Sequence, residues 1–124
     1  MALSAEGPPQ GRAARLWRAV LCLAEMPPSE EDAVLRPVVP GHAENLVFEF
    51  DEAYTDFVDG LKKLPSESQM LALQEVDVKV SSMVGAKDIS LWTDRARRED
   101  ENWAELRQLA ARVFSAFDWP APED

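Results

Sequence analysis

The strongest pattern in this sequence is an apolar stripe at helical spacing over residues 102–119. Its apolar positions recur every three or four residues and include the large rings of Trp103, Phe114 and Phe117. A helix with such a stripe needs other apolar surface against which the stripe is buried. The pattern therefore predicts an amphipathic helix around which the rest of the chain packs. We expect four of its apolar side chains to be buried: Trp103, Leu106, Val113 and Phe117.

An amphipathic helix is also predicted near the start of the chain, over residues 12–26, where Pro27 and Pro28 would end it. Its apolar arc holds Leu16, Trp17, Val20, Leu21 and Leu23. Its opposite arc holds Arg12, Arg15 and Arg18. The simplest interpretation is a core helix whose arginines face solvent or the acidic remainder of the chain. An organellar targeting segment and a helix lying on a membrane surface are the alternatives.

The region after this helix is rich in proline. Residues 27–45 hold four of the nine prolines and are predicted to form a connector that crosses the surface of the domain. A short β-hairpin near residues 38–50 is one interpretation, in which the run 46–50 is a strand. The other interpretation is an early start of the next helix, which is otherwise predicted over residues 51–64 with Asp51 as its N-cap.

A third helix is predicted over residues 66–84. Ser66 and Gln69 form the pattern of a capping box at its start, and Gly85 is placed to end it. Two apolar side chains project away from its main stripe, namely Leu71 and Val78. We therefore expect this helix to contact two neighbours.

The region 88–118 is predicted to be either one long helix or two helices. Asp88 is a suitable N-cap for its first turn. A continuous helix would place Glu99 in the apolar stripe, which is costly if the carboxylate is buried. We therefore favour a break near residues 98–100, with Asp100 capping a new helix.

These elements predict an all-α fold, a small bundle of four to five helices with a proline-rich crossover. The bundle occupies one domain over residues 12–119, with tails at residues 1–11 and 120–124. A chain of 124 residues is long enough to bury a core without disulfides or metals. Short connections near Pro65 and Gly85 predict antiparallel neighbours.

The formal net charge of the chain is −10. Non-specific binding to nucleic acid depends on lysines and arginines that neutralise phosphates, so this charge disfavours it. The charge favours instead a protein partner with a basic surface. The single cysteine, Cys22, excludes an internal disulfide and suits a reducing compartment. Because no apolar run approaches the length of a membrane span, we expect a cytoplasmic protein.

The most regular set of carboxylates is Glu52, Asp56 and Asp59, which fall on one face of the helix over residues 51–64. Carboxylates in this array are a possible site for a divalent cation. However, the face points away from the apolar stripe and no further ligands enclose it, so we expect no metal site. A partner with lysines or arginines is the occupant that this acidic face predicts.

The sequence contains no motif for catalysis or for cofactor binding: no glycine-rich phosphate loop, no nucleophile elbow and no zinc-finger spacing. Cys22 follows Arg18 by one helical turn, and a nearby cation activates a thiol, so Cys22 is a candidate reactive group. The only histidine, His42, lies beside Gly41 in the connector, where nothing pairs it with a nucleophile. We expect neither an enzyme nor a cofactor.

Three functional hypotheses follow from these patterns. The leading one is a non-catalytic acidic helical interaction protein, such as an adaptor, an inhibitor or an immunity-like protein, that binds a basic protein partner. The second is a structural subunit or a homodimer that uses the tryptophan and phenylalanine faces of the helices. The third is an enzyme with an unrecognised carboxylate site or with a catalytic Cys22.

Overall fold

A computed structural model describes residues 9–25 and 42–121. These ranges hold five α-helices and no strand. The helices are α1 (Arg12–Ala24), α2 (His42–Asp59), α3 (Glu67–Gly85), α4 (Asp94–Glu99) and α5 (Glu101–Phe117). A single 3₁₀ turn, Ile89–Leu91, lies between α3 and α4. The prediction of a small all-α bundle is therefore confirmed.

The four longer helices form the bundle. α1 packs along both α2 and α5, and α3 packs along α5. α2 and α3 touch over only a short stretch, so the ring of helices is least closed between them. The indole Nε1 of Trp17 on α1 donates a hydrogen bond to the carbonyl oxygen of Pro120, 2.8 Å away. This bond ties α1 to the segment that follows α5.

The core is centred on the face of α5 that the sequence predicted to be buried. Trp103, Leu106 and Val113 are fully buried, which confirms the prediction for these three side chains. Nε1 of Trp103 donates a 2.7 Å hydrogen bond to a main-chain carbonyl of the 3₁₀ turn, so the buried indole keeps a polar partner. Phe117 is only half-buried, because it lies at the end of α5 and stacks on Trp119, with ring centroids 4.3 Å apart.

α2 runs from His42 to Asp59, so the prediction of a helix over residues 51–64 placed both its start and its end too late. The run 46–50 is helical, and the predicted strand is wrong. The early start of the helix, which was the alternative to the hairpin, is confirmed. Residues 42–45 of the predicted proline-rich connector belong to α2, and residues 26–41 lie outside the described residues.

The helical conformation of this run follows from where its apolar side chains point. Leu46, Val47 and Phe50 fall on one buried stripe of α2. The helix also pairs main-chain groups within itself, whereas an isolated strand leaves them without partners. Asp51 lies inside α2 and is exposed, so its predicted role as an N-cap is wrong.

The two ends of α3 differ in how well the sequence predicted them. The capping box is confirmed, because Oγ of Ser66 accepts from N of Gln69 at 3.2 Å and Oε1 of Gln69 accepts from N of Ser66 at 2.9 Å. Gly85 is the last residue of the helix, and the left-handed conformation that ends it falls on Lys87, with φ of 55°. A residue with a side chain adopts this conformation at a cost of roughly 1–2 kcal/mol.

The break between α4 and α5 is confirmed, with Asp100 as the N-cap of α5. Its main chain is extended, and its Oδ1 accepts a 2.8 Å hydrogen bond from N of Asn102. The break leaves Glu99 exposed, where it forms an ion pair with Arg95 at 3.3 Å. A carboxylate is thereby kept out of the buried stripe of α5, which is the physical reason for two helices instead of one.

Candidate interaction surface

The predicted acidic face lies on the side of α2 that faces α1. Arg15 on α1 donates from Nε to Glu49 at 2.9 Å and from a guanidinium nitrogen to Glu52 at 3.2 Å. Arg12 forms an ion pair with Asp56, with Nε and Oδ1 3.6 Å apart. The hydrogen bond that Arg15 donates to Glu49 also raises the pKa of Arg15. Two of the three predicted partner-binding carboxylates are therefore already paired within the chain.

The third carboxylate, Asp59, is exposed at the end of α2, where no ion pair joins it to a described residue. The next residue is Gly60, and the guanidinium of Arg12 lies directly over it. A Cβ at this position would collide with the Arg12 side chain. The glycine therefore gives Arg12 room to reach Asp56.

A groove opens where α2 and α3 touch least. It has a volume of about 320 Å³ and is lined by Val47, Phe48, Asp51, Val80, Ser81, Val84 and Gly85. Phe48 is 55% exposed and Val84 is 43% exposed, so two large apolar side chains meet solvent here. We name this groove, together with the neighbouring Asp77, the α2–α3 seam.

The α2–α3 seam carries negative charge that no described lysine or arginine neutralises. Burial raises the pKa of Asp77, and the nearby carboxylate of Asp51 raises it further. Burial, followed by the charge of Asp77, also raises the pKa of Tyr54. Within residues 9–25 and 42–121, no lysine or arginine forms an ion pair with either aspartate. Sequence reasoning missed this site, because Asp51 and Asp77 stand on different helices and only the rotation of both helices brings them together.

A second groove runs along the outer side of α3 and α5. Leu71 and Val78 of α3 line it and are exposed, so their predicted contact with a second neighbouring helix is wrong. Leu109 of α5 completes its apolar part. Two ion pairs cross the groove, one between Lys79 and Glu105 and the other between Arg112 and Glu75.

The environment of Cys22 does not activate its thiol. Cys22 is exposed on α1. Partial burial around the sulfur raises the pKa of the thiol, and Glu25 raises it further, against a smaller opposing effect of Arg97. His42 is exposed at the first turn of α2. Among the described side chains, no group of three histidine, cysteine or carboxylate side chains is arranged to hold a metal ion.

Arg97 on α4 is the one buried charged residue among those described, with 5% of its surface exposed. Its guanidinium lies 3.7 Å from the carboxylate of Asp94, donates to the carbonyl oxygen of Glu25 and stands over the ring of Trp103. Burial lowers the pKa of Arg97. The residue joins α4 to α5 and to the end of α1. No local pattern indicated its burial, because residues 94–102 are almost all charged or polar.

Comparisons with protein-family models, with curated proteins and with solved structures find no match to this chain. None of the described helices combines the length and the apolar character that crossing a bilayer requires. The candidate surfaces therefore have to be judged from their own geometry, charge and exposure.

Proposed function

We propose that this chain is a non-catalytic interaction protein that binds the basic surface of a protein partner in the α2–α3 seam. The observation that carries the proposal is the pair of carboxylates of Asp51 and Asp77, which no described cation neutralises. They lie beside the exposed side chains of Phe48 and Val84. An aromatic anchor next to unpaired charge is typical of the residues that contribute most to protein–protein binding.

A lysine or arginine of the partner would relieve the repulsion between the carboxylates of Asp51 and Asp77. Placed between Asp51 and Asp77, it replaces a repulsive interaction with two attractive ones. At the same time, covering Phe48 and Val84 removes apolar surface from water, which favours a complex. A helix with one basic and one apolar edge has the chemistry that suits such a groove.

The predicted acidic face is the weaker candidate, because its charge is partly used within the chain. A basic partner at Glu52 or Asp56 would compete with Arg15 or Arg12, and exchanging one exposed ion pair for another gains little free energy. The net charge of −10 acts at longer range in either case and draws a basic partner towards the chain.

One observation of the structure weighs against each of the other two hypotheses. Trp103 and Phe114 are buried, so a homodimer through the aromatic face of α5 would require that face to leave the core. An enzyme based on Cys22 would depend on a thiol whose pKa is raised, which lowers the fraction of thiolate. The proposed location is the cytoplasm, since a free cysteine is compatible with a reducing compartment.

The proposal is tested by titrating the isotopically labelled protein with a defined probe. The probe is a synthetic amphipathic helix with lysines on one face and leucines on the other, and its control carries glutamates in place of the lysines. We expect chemical-shift changes centred on Phe48, Asp51, Asp77 and Val84 with the lysine peptide only. No binding, or shifts spread evenly over the acidic surface, would contradict the proposal.

Two double variants with the same change of net charge separate a site from a general charge effect. Asp51→Asn with Asp77→Asn removes the charges of the seam, and Asp56→Asn with Asp59→Asn removes two charges of the acidic face. We expect the first pair to weaken binding of the lysine peptide by roughly tenfold and the second pair to have a much smaller effect. Equal losses would show that net charge alone attracts the peptide.

The same variants serve as baits for a natural partner. The unaltered protein and both double variants are immobilised, and proteins captured from a cell lysate are compared at low and high salt. We expect a basic protein that the unaltered chain holds at low salt and that the Asp51→Asn, Asp77→Asn variant releases. Capture that does not respond to these two substitutions would place the partner elsewhere on the chain.

A further inference from the structure

The outer groove between α3 and α5 is an apolar surface with an ordered set of charges around it. Leu71 is 55% exposed and Val78 is 66% exposed, two helical turns apart on the same side of α3. Together with Leu109 they line a groove of about 500 Å³. A second apolar surface laid on these side chains would remove them from water, which favours association.

Three charged side chains line this groove, and a fourth, that of Arg112, lies beside it and pairs with Glu75; we call these four positions its corners. Nζ of Lys79 lies 3.2 Å from Oε1 of Glu105, and a guanidinium nitrogen of Arg112 lies 3.3 Å from Oε1 of Glu75. Glu75 and Lys79 are one turn apart on α3, and Glu105 and Arg112 are two turns apart on α5. Each corner therefore has the opposite sign to the corner across the groove and to the corner along the same helix.

This alternation makes the groove complementary to itself. A twofold axis that lies in the plane of the groove, perpendicular to the helices, exchanges its two ends. Glu75 of one copy then meets Lys79 of the second copy, and Glu105 meets Arg112. Val78 lies between the two ion pairs, so the two Val78 side chains meet near the axis. Such a face is isologous, the type that closes a symmetric dimer.

We propose that the α3–α5 groove binds a second copy of this chain, with the two α3 helices antiparallel. The groove carries two cations and two carboxylates, so it is locally neutral in a chain whose net charge is −10. Two such chains repel each other over most of their surfaces, and a neutral, apolar face is where they approach at the lowest electrostatic cost. This inference is independent of the proposed function, which uses a different side of α3.

The apolar part of the proposal is tested by Leu71→Glu together with Val78→Glu. Both side chains are exposed, so the double variant is expected to fold, as circular dichroism will check. Ile89→Glu is the control, because Ile89 is an exposed apolar residue outside the groove. Sedimentation equilibrium up to about 1 mM should show a dimer for the unaltered chain and for the control, with a dissociation constant at least roughly tenfold higher in the double variant. A strict monomer over this range overturns the proposal, as does a dimer that the double variant does not weaken.

The pairing of opposite charges between the two copies is tested by reversing all four corners, with Glu75→Lys, Lys79→Glu, Glu105→Lys and Arg112→Glu. The reversed chain keeps its net charge and both ion pairs within the chain. Its dimer should have about the same stability as the original, since opposite charges still meet across the axis. In a mixture of the two chains, however, every corner would meet a like charge.

Native mass spectrometry of an isotope-labelled mixture of the two chains measures the proportions of homodimers and mixed dimers. We expect two kinds of homodimer and a mixed dimer reduced at least roughly tenfold below the statistical amount. Mixed dimers at the statistical amount overturn the antiparallel arrangement. The seam variants at Asp51 and Asp77 should leave dimerisation unchanged, so failure of the dimer and failure of the proposed function are distinguishable.

Discussion

α2 carries carboxylates on both of its flanks, and the fold treats the two flanks differently. On the flank towards α1, Glu49 and Glu52 share the guanidinium of Arg15, and Asp56 meets Arg12. On the flank towards α3, Asp51 lies near enough to Asp77 for its charge to raise the pKa of that second carboxyl. The first flank is a closed helix contact with paired charges, and the second is an open groove with a repulsive pair.

The difference shows that net charge alone does not identify a binding surface. All the carboxylates of α2 contribute equally to the total of −10, but those facing α1 already have partners within the chain. Exposed ion pairs contribute little stability, yet they remove the unpaired charge that a partner would recognise. The flank left unpaired is therefore the better candidate for binding.

The largest difference in stability is expected between variants of two phenylalanines of α2, one in the core and one in the seam. Phe50 is fully buried and Phe48 is mostly exposed in the seam. Phe50→Ala should lower the free energy of unfolding by about 3–5 kcal/mol, because it leaves a cavity. Phe48→Ala should change it by less than about 0.5 kcal/mol, because the side chain does not serve the core. Urea unfolding of both variants measures the difference, and equal losses would mean that the seam is closed in solution.

The repulsive pair in the seam predicts a pH dependence of stability. Because the pKa of Asp77 is raised above its ordinary value of 3.8, the folded chain binds this proton more tightly than the unfolded chain. Stability from this group therefore rises as the pH falls through the raised pKa, and the gain is complete below about 3.9, the value of an unfolded chain. At neutral pH, Asp77→Asn should stabilise the fold by at most about 1 kcal/mol.

Unfolding free energies measured from pH 7 to pH 3 check both parts of this prediction. In the Asp77→Asn variant, the unfolding free energy should no longer contain the pH dependence that Asp77 contributes. The other carboxylates should still contribute theirs. Asp59→Asn provides the control, since Asp59 is an exposed carboxylate that faces no second carboxylate in a seam. A less stable Asp77→Asn variant at neutral pH would contradict the repulsion.

Removing a cation from the paired flank should have a smaller effect of opposite sign. Arg15→Gln leaves Glu49 and Glu52 without their shared partner, so the fold becomes slightly less stable. The loss should shrink as salt is added, because both partners are exposed. The variant should also bind the lysine peptide more tightly than the unaltered chain does. If the affinity of the variant for the lysine peptide is unchanged, the ion pairs with Arg15 do not limit binding at the acidic face predicted from Glu52, Asp56 and Asp59.

The smallest effect is expected at Gly60. A methyl group there displaces the guanidinium of Arg12 and breaks its ion pair with Asp56. Alanine restricts the unfolded chain more than glycine does, which stabilises the fold by about 0.4–1 kcal/mol. The loss of an exposed ion pair offsets this stabilisation by about 0.2–1 kcal/mol. Gly60→Ala should therefore change stability by less than about 1 kcal/mol. A much larger loss of stability would show that Gly60 is required for more than the space that Arg12 occupies.

The parts of the fold that the sequence predicted are those set by local signals. The apolar stripe of α5, the capping box of Ser66 and Gln69, and the N-cap at Asp100 each depend on residues a few positions apart. The start of α2 was harder to predict, because the apolar residues of the short run 46–50 fit both a strand and a helical stripe. Only its burial against other helices separates the two.

The candidate surfaces depend on contacts that local patterns do not contain. Leu71 and Val78 were correctly placed on a separate side of α3, but the sequence did not show that this side is left open. Asp51 and Asp77 come together through the rotation of two helices. The fold class was therefore predictable, whereas the surface that we propose for binding was not.

The hydrogen bond between Trp17 and the carbonyl of Pro120 has a consequence for how the chain is made. Its two ends are 103 residues apart, and translation at roughly 5–20 residues per second separates their synthesis by about 5–20 s. During that interval α1 has left the ribosome without α5, the helix that covers much of its apolar arc. α1 therefore waits longer for α5 than for α2, and for those seconds the part of its apolar arc that α5 covers is exposed to chaperones.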